Sequence, residues 1–347
     1  MEAPIPGVVH SHASALQNPS QALSSSEEEN TSFPAQNVPV FDNPFHIEDL
    51  LVFDDGTLQR IISCNGFGLS IEVLAIALHG APNVLVERIK RVLPGSKSSH
   101  FMQEFHRQVM PEQIETASRD VLDRLFWELT YWKTPELYNE LTEGEQLHPG
   151  IFKQLESDIR DKSVLDAGSG SGRASFECLR YGARLIYAVE PSPGLLRILQ
   201  RKLATHPYGQ RVEALDGSFE SLPLENGSVD TALSCSAFTA EPAQGGEAGL
   251  AEMQRVTKPG GKVVIIWPRI EDYEWLAQCG FQHVTLPVQQ EMCVHFRSLE
   301  SALLCARRFY ARSERVARYI LERQRPEVPF SVLGFNPPRD YCWLTVK

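Results

Sequence analysis

Four features of this sequence, taken in order, have the residue types and spacing to hold a nucleoside-bearing ligand. The run Val164-Leu165-Asp166-Ala167-Gly168-Ser169-Gly170-Ser171-Gly172-Arg173 carries an apolar strand straight into a glycine-rich turn and then a helix. Glycines let the backbone approach a ligand closely and take up positive φ. A helix starting behind the turn offers free N–H groups to an anionic or polar ligand. Eighteen residues after Gly172 stands Glu190, at the end of the apolar strand RLIYAVE. An acid there can accept both hydroxyls of a ribose. Asp216 follows the next strand and is trailed by Gly217, Ser218 and Phe219. That puts a carboxylate, a backbone N–H and a stacking ring where an adenine edge would lie. Last comes Arg255-Val256-Thr257-Lys258-Pro259-Gly260-Gly261, turning into the strand KVVIIW. The dinucleotide fingerprint GxGxxG is excluded, because Arg173 occupies its third glycine position. The pattern is GxGxG preceded by Asp166.

These residues need a scaffold that alternates strands with helices. From Ser163 onward the sequence supplies one. Strands are expected at 163–167, 185–190, 212–215, 231–234, 262–267, 282–287 and 341–346, with helices near 172–181, 192–204, 247–256, 271–279 and 298–323. The alternation predicts an α/β fold, a Rossmann-like, doubly wound, seven-stranded and mostly parallel sheet. Before it, residues 45–133 carry apolar stripes at helical spacing. Ile71, Leu74, Ala75 and Leu78 make one, and Val84, Leu85, Ile89 and Val92 another. Phe101, Met102, Phe105 and Val109 make a third, and Ile114, Ala117, Val121, Leu122 and Leu125 a fourth. They predict a small all-α, armadillo-like domain. Residues 134–160 read as a helical bridge into a domain spanning 134–347.

The order and spacing of the four features resemble those of class I S-adenosylmethionine-dependent methyltransferases, in particular the ubiquinone and menaquinone biosynthesis group. The resemblance covers about residues 135–347. It implies S-adenosyl-L-methionine as cofactor, with Gly168, Gly170 and Gly172 admitting its methionine part and Asp166 ordering the turn. It assigns Glu190 to the ribose and Asp216, Ser218 and Phe219 to the adenine. Ser234 to Phe238 would line the methyl-transfer pocket. Tyr138, Glu145 and His148, in the segment that folds over the cofactor in this group, are candidate polar groups; Tyr138 and His148 are candidate substrate contacts, and Phe238 is a third. No Ser/His/Asp set is evident, so no catalytic base is assigned, and nothing calls for a metal. In-line transfer from a sulfonium needs positioning more than acid–base help.

A second resemblance concerns LAIALHGA (74–81), LVERIKRVLPGSKSSHFMQEF (85–105) and IETASRDVLDRLFWEL (114–129). They are similar to the helical repeat domain of the flagellar motor switch protein, with His79 where that family has lysine. What this implies is a fold and a protein-interaction role for residues 46–133.

Composition limits the alternatives. Apolar residues are 42% and charged residues 22%, enough for a sizeable core, which excludes a chain disordered throughout. A net charge of −11 argues against nucleic acid as a partner. No apolar run is long enough to span a membrane. Seven cysteines without a CxxC pair read as reduced thiols in a cytoplasmic protein. Residues 1–44 hold Glu27, Glu28 and Glu29 and no Lys or Arg, and read as a disordered acidic tail. Residues 297–325 carry eight arginines against three acids on an amphipathic stripe, expected to form a helical cap inserted before the last strand. Asn336-Pro337-Pro338 lacks the following aromatic of the adenine amino-methyltransferase signature and reads as a turn. The expected function is methyl transfer to a small molecule. The alternatives are a protein methyltransferase recruiting its target through the helical domain, and a cofactor-binding scaffold without turnover.

Overall fold

A computed structural model of the chain describes residues 43–63, 67–310 and 314–347. The acidic tail falls almost wholly outside these residues. Six helices come first among the described residues: α1 (Asp55–Ser63), α2 (Ile71–Ala77), α3 (Asn83–Val92), α4 (Gly95–Phe105), α5 (Pro111–Arg124) and α6 (Phe126–Lys133). The four expected stripes fall on α2 to α5, whose buried faces they largely form; Val84 is exposed and Val109 lies beyond the end of α4. Ser70 caps α2 through the Val73 N–H, and Pro111 opens α5 at its first turn. Pro94 follows the C-cap of α3, Leu93, and is itself the N-cap of α4, so one proline stands between the two helices. Three helices bridge to the sheet: α7 (Pro135–Gly144), α8 (Gly150–Gln154) and α9 (Glu156–Ile159).

Strands and helices then alternate as β1 (Ser163–Ala167), α10 (Arg173–Arg180), β2 (Leu185–Val189), α11 (Pro193–Thr205), β3 (Val212–Leu215), β4 (Val229–Cys235), α12 (Gly246–Val256) and β5 (Thr257–Ile266). The remaining elements are α13 (Tyr273–Gln278), β6 (Gln282–Thr285), β7 (Cys293–His295), α14 (Leu299–Phe309), α15 (Glu314–Arg323), β8 (Glu327–Pro329), α16 (Phe330–Leu333) and β9 (Asp340–Thr345). Seven strands form one sheet in the order β3-β2-β1-β4-β5-β9-β6. The first five are parallel, and β9 runs antiparallel between β5 and β6. This is the expected Rossmann-like fold. Its strand order reverses at β1, between β2 and β4, which opens a crevice at the carboxyl end of β1. Every residue of β1 is buried, because helices cover both faces of a parallel sheet.

Three details differ from expectation. β5 starts at Thr257, and the expected turn at Pro259-Gly260-Gly261 is strand, held by Gly260 N–H to Val346 O (2.8 Å) and by a register shift against β4. The single helix expected over 298–323 is α14 and α15. The antiparallel pair of β7 with β8, which α14 and α15 separate in the chain, was not expected, because three-residue strands carry no period.

Packing is continuous across residue 134. Phe309 of α14 stacks on Trp127 of α6 (5.4 Å between centroids), and one core joins Leu74 and Val121 to Val164 and Ile186. The helices before the sheet therefore belong to the walls around the crevice.

The turn after β1 tests the scaffold. Gly172 has φ 98°, and a Cβ there would lie 2.6 Å from Leu199 Cδ1 and 3.0 Å from Phe176. Gly172→Ala is expected to cost about 1–3 kcal/mol in chemical denaturation, from overpacking and from the left-handed backbone. A value within error of zero would show that the turn tolerates a side chain.

Candidate functional site

The glycine turn sits in the crevice between β1 and α10. Gly168, Gly170 and Gly172 all have positive φ, at 68°, 56° and 98°. A Cβ on Gly168 would lie 2.8 Å from Ala237 and 2.9 Å from Phe219, so the loops after β3 and β4 close directly on the turn. A Cβ on Gly170 would meet nothing within 4 Å. That side of the turn faces open space.

Glu190 ties the turn to the next loop. Its Oε2 accepts from the Gly170 N–H and its Oε1 from the Ser192 N–H, both at 2.8 Å. Burial pushes its carboxyl up to about 7, against the pull of these two bonds. Asp166 is buried at the end of β1. Its Oδ2 accepts from Ser175 Oγ at 2.6 Å, and its Oδ1 has no hydrogen-bond partner. Burial pushes this carboxyl up to about 6.

Two cavities meet at the turn and share Gly168, Gly170, Ala237 and Tyr138 as wall. The first is lined by Glu190, Ser218, Phe219 and, from the helices before the sheet, Arg60, Glu128 and Tyr131. The second is lined by Asp166, Ser169, Ser171, Arg173, Thr142 and Cys235. Tyr138 lies at the junction, edge-on to Tyr131 at 4.7 Å.

Ser218 and Phe219 thus stand where the sequence places them. Asp216 does not: it is exposed and off both cavity walls, because the chain turns outward after β3 and brings Ser218 and Phe219 in. Ser234 is fully buried inside β4, away from both cavities. Phe238 is 2% exposed and packs between Phe219 (5.3 Å) and Trp275 (6.1 Å), so its ring belongs to the core. His148 lines an outer groove that shares Thr142, Ser171 and Arg173 with the second cavity, and there its Nδ1 accepts from the Gly150 N–H at 3.1 Å. Asn336-Pro337-Pro338 lies between α16 and β9, where the carbonyls of Asn336 and Pro338 take Trp267 Nε1 and the His148 N–H.

Several site residues escaped the sequence reading. Arg173 served there only to break a fingerprint. Its guanidinium donates to Ser236 Oγ (2.5 Å), to the Glu145 carbonyl (3.1 Å) and to Glu145 Oε2 (3.4 Å), and lies 5.6 Å over the Trp267 ring. Glu145 is fully buried, and burial pushes its carboxyl up to about 7 although Arg173 opposes the shift. The available signal was an arginine directly behind a glycine turn, which needs a partner once buried. Arg60, Glu128 and Tyr131 had no signal, because their helices are distant in sequence from the sheet.

The residues fit S-adenosylmethionine. Asp166 offers an unpaired carboxylate oxygen to an ammonium, the open side of Gly170 admits a chain, and Glu190 and Phe219 flank the adjoining cavity.

The family described as "Methyltransferase domain" matches residues 164–261, the part that builds the turn and the loops around it. A methyltransferase of Geobacillus kaustophilus is 30% identical over 165 residues, 46% of this chain and 72% of the relative. A ubiquinone/menaquinone biosynthesis C-methyltransferase of Hahella chejuensis is 28% identical over 106 residues, 30% of this chain and 42% of that one. A solved SAM-dependent methyltransferase of Aquifex aeolicus overlays with a TM-score of 0.33 at 21% identity, over 38% of this chain and 71% of that one. The chain belongs to the methyltransferase family. It is an S-adenosylmethionine-dependent methyltransferase. The matched family lies wholly inside the α/β part, so the likeness of residues 74–129 to the flagellar motor switch protein has no counterpart in it.

The buried acids set a pH dependence. Unfolded carboxyls titrate near pH 4, whereas Asp166 titrates at about 6 and Glu145 and Glu190 at about 7 in the fold. Between those limits the folded chain holds more protons than the unfolded one. The stability contribution of these acids is therefore full below about pH 4 and is lost as pH rises through 6 to 7. Thermal unfolding of the cofactor-free protein is expected to shift to lower temperature from pH 5 to pH 8, and less so in Glu190→Gln. A Glu190→Gln profile as steep as that of the parent chain would contradict this.

Proposed function

We propose that this methyltransferase acts on a small-molecule acceptor presented at the Arg173 end of the paired cavities. The observation that carries this reading is enclosure. The glycine turn, the loops after β3 and β4, and helices α1, α6 and α7 all contribute wall to the same space. Such a space suits a compact acceptor better than a folded protein surface.

In this reading Glu190 accepts from the ribose hydroxyls, Phe219 stacks on the adenine and Ser218 contacts its edge. Asp166 receives the ammonium group of the methionine part at Oδ1, and Gly168 and Gly170 let that part pass close to the backbone. When bound, the cofactor supplies a methyl group on a cationic sulfur, which leaves as a neutral thioether. The chain contributes alignment and exclusion of water, and positioning of this kind can supply on the order of 7–11 kcal/mol. Arg173, braced by Glu145 and Ser236, orients the acceptor at the transfer end. Glu145 is placed beside it to take a proton from an acceptor that still carries one. A ring-bearing acceptor is the finer form of the reading. The quinone-biosynthesis relative supports it, as does the flat Trp267 surface under Arg173.

Residues 46–133 then have two duties. The α1 and α6 side walls the cavity, and the opposite side, with Val84 and Met110 exposed, offers a surface to a protein partner. The six described cysteines are free, which fits a reducing, cytoplasmic setting.

Calorimetric titration tests the cofactor assignment. S-adenosylmethionine is expected to bind and NAD not to bind, and Glu190→Ala is expected to weaken binding by about 1–3 kcal/mol. Labelled methyl donor added to a cell extract should then mark the small-molecule fraction. Label in a protein band would move the function to the protein methyltransferases. Cofactor binding without any labelled product would leave a scaffold.

A further inference from the structure

The helices before the sheet bring charge to the cofactor cavity. Glu128 of α6 faces it beside Glu190 and Glu220, and Arg60 of α1 stands on the same wall. The Glu128 side chain is 12% exposed. Its ion pair with Arg60 is long, at 3.8 Å. With every group ionised, three carboxylates stand against one guanidinium. Tyr131 and Tyr138 complete the polar wall and stay neutral, since burial drives both phenols well above their usual range. Arg173, on the wall of the second cavity, is taken up by Glu145 and Ser236. Burial raises the Glu128 carboxyl above its usual range, as it does that of Glu190, so the wall turns negative as pH rises and these acids ionise.

We propose that Glu128, held by Arg60, is a charge-reading residue of the cofactor cavity that favours the cationic methyl donor over the demethylated thioether product. The inference rests on the reading that this cavity holds the cofactor. Donor and product differ by the methyl group and by one positive charge on sulfur. Contacts to ribose, adenine and the amino acid part are the same in both. A negative wall in a poorly hydrated cavity interacts with that one charge at a distance, without touching the sulfur. Each turnover removes the charge the wall attracts, so the wall's own contribution to binding is smaller for the product than for the donor. The residue lies outside the span that matches the family, 164–261, on a helix that the α/β scaffold alone does not supply.

The test is the ratio of two affinities in the full chain. Dissociation constants for S-adenosylmethionine and S-adenosylhomocysteine are measured by calorimetry at pH 8 and low salt. Four proteins are compared: the parent, Glu128→Gln, Arg60→Gln and Glu190→Gln. Glu128→Gln keeps the shape and removes the charge. It is expected to lower the preference for the donor by about three- to fivefold. Arg60→Gln leaves the acids uncompensated and is expected to raise it. A residue that only props the wall would weaken both ligands alike and leave the ratio unchanged. An unchanged ratio in Glu128→Gln, with binding still lost in Glu190→Gln, would overturn the inference and leave the pocket standing. Undiminished binding of both ligands in Glu190→Gln would overturn the pocket assignment and the inference together.

Discussion

A buried carboxylate held between two backbone N–H groups organises this site. Glu190 bonds to Gly170 and to Ser192, and so ties the turn after β1 to the loop after β2. A buried carboxylate must be compensated, and backbone donors do so only if both loops hold their positions. Gly170 can present its N–H because its backbone is left-handed. Ser192 can present its own because its side chain is occupied capping α11 and bonding to the Tyr131 carbonyl of α6. One acid thus couples the sheet, two loops and a helix from the other end of the chain. Ribose hydroxyls would compete for the same carboxylate oxygens.

The second constraint is closure. In a doubly wound fold the crevice at the strand ends is open to solvent, and something else has to cover it. Here the cover comes from α1, α6 and α7, locked to α14 through Trp127 and Phe309. Covering the site excludes water and raises the worth of each charge inside it. It also explains why three acids near the turn titrate far above ordinary carboxyls. The same desolvation that lowers stability as they ionise leaves them ready to accept from a bound cation or hydroxyl.

Charge at the transfer end is balanced locally. Arg173 and Glu145 neutralise each other within a buried cluster that includes Ser236 and the Trp267 face. Breaking either partner would strand the other, which is costly in a site this dry. The cluster therefore acts as a fixed dipole beside the turn, not as a pair of free ions, and the cationic face of Arg173 is directed by its three acceptors.

The sequence by itself determined the sheet, the turn and the acids next to it. Strand and helix periods are local properties, and Asp166, the glycines and Glu190 are read from their places on consecutive elements. It also indicated Ser218 and Phe219, because they follow a strand end closely. Asp216, Ser234 and Phe238 lie off both cavity walls. Asp216 turns outward after β3, Ser234 is buried within β4 and Phe238 packs into the core, placements that distance along the chain does not record. Only the tertiary structure decided that Arg60, Glu128 and Tyr131 wall the cavity and that Arg173 finds Glu145. Arg173 and Glu145 are 28 positions apart, and Arg60 and Phe219, on one cavity wall, are 159 apart. No local period records such contacts; they arise when the apolar faces of α6 and α7 bury themselves against α11 and carry their polar residues to the mouth of the crevice.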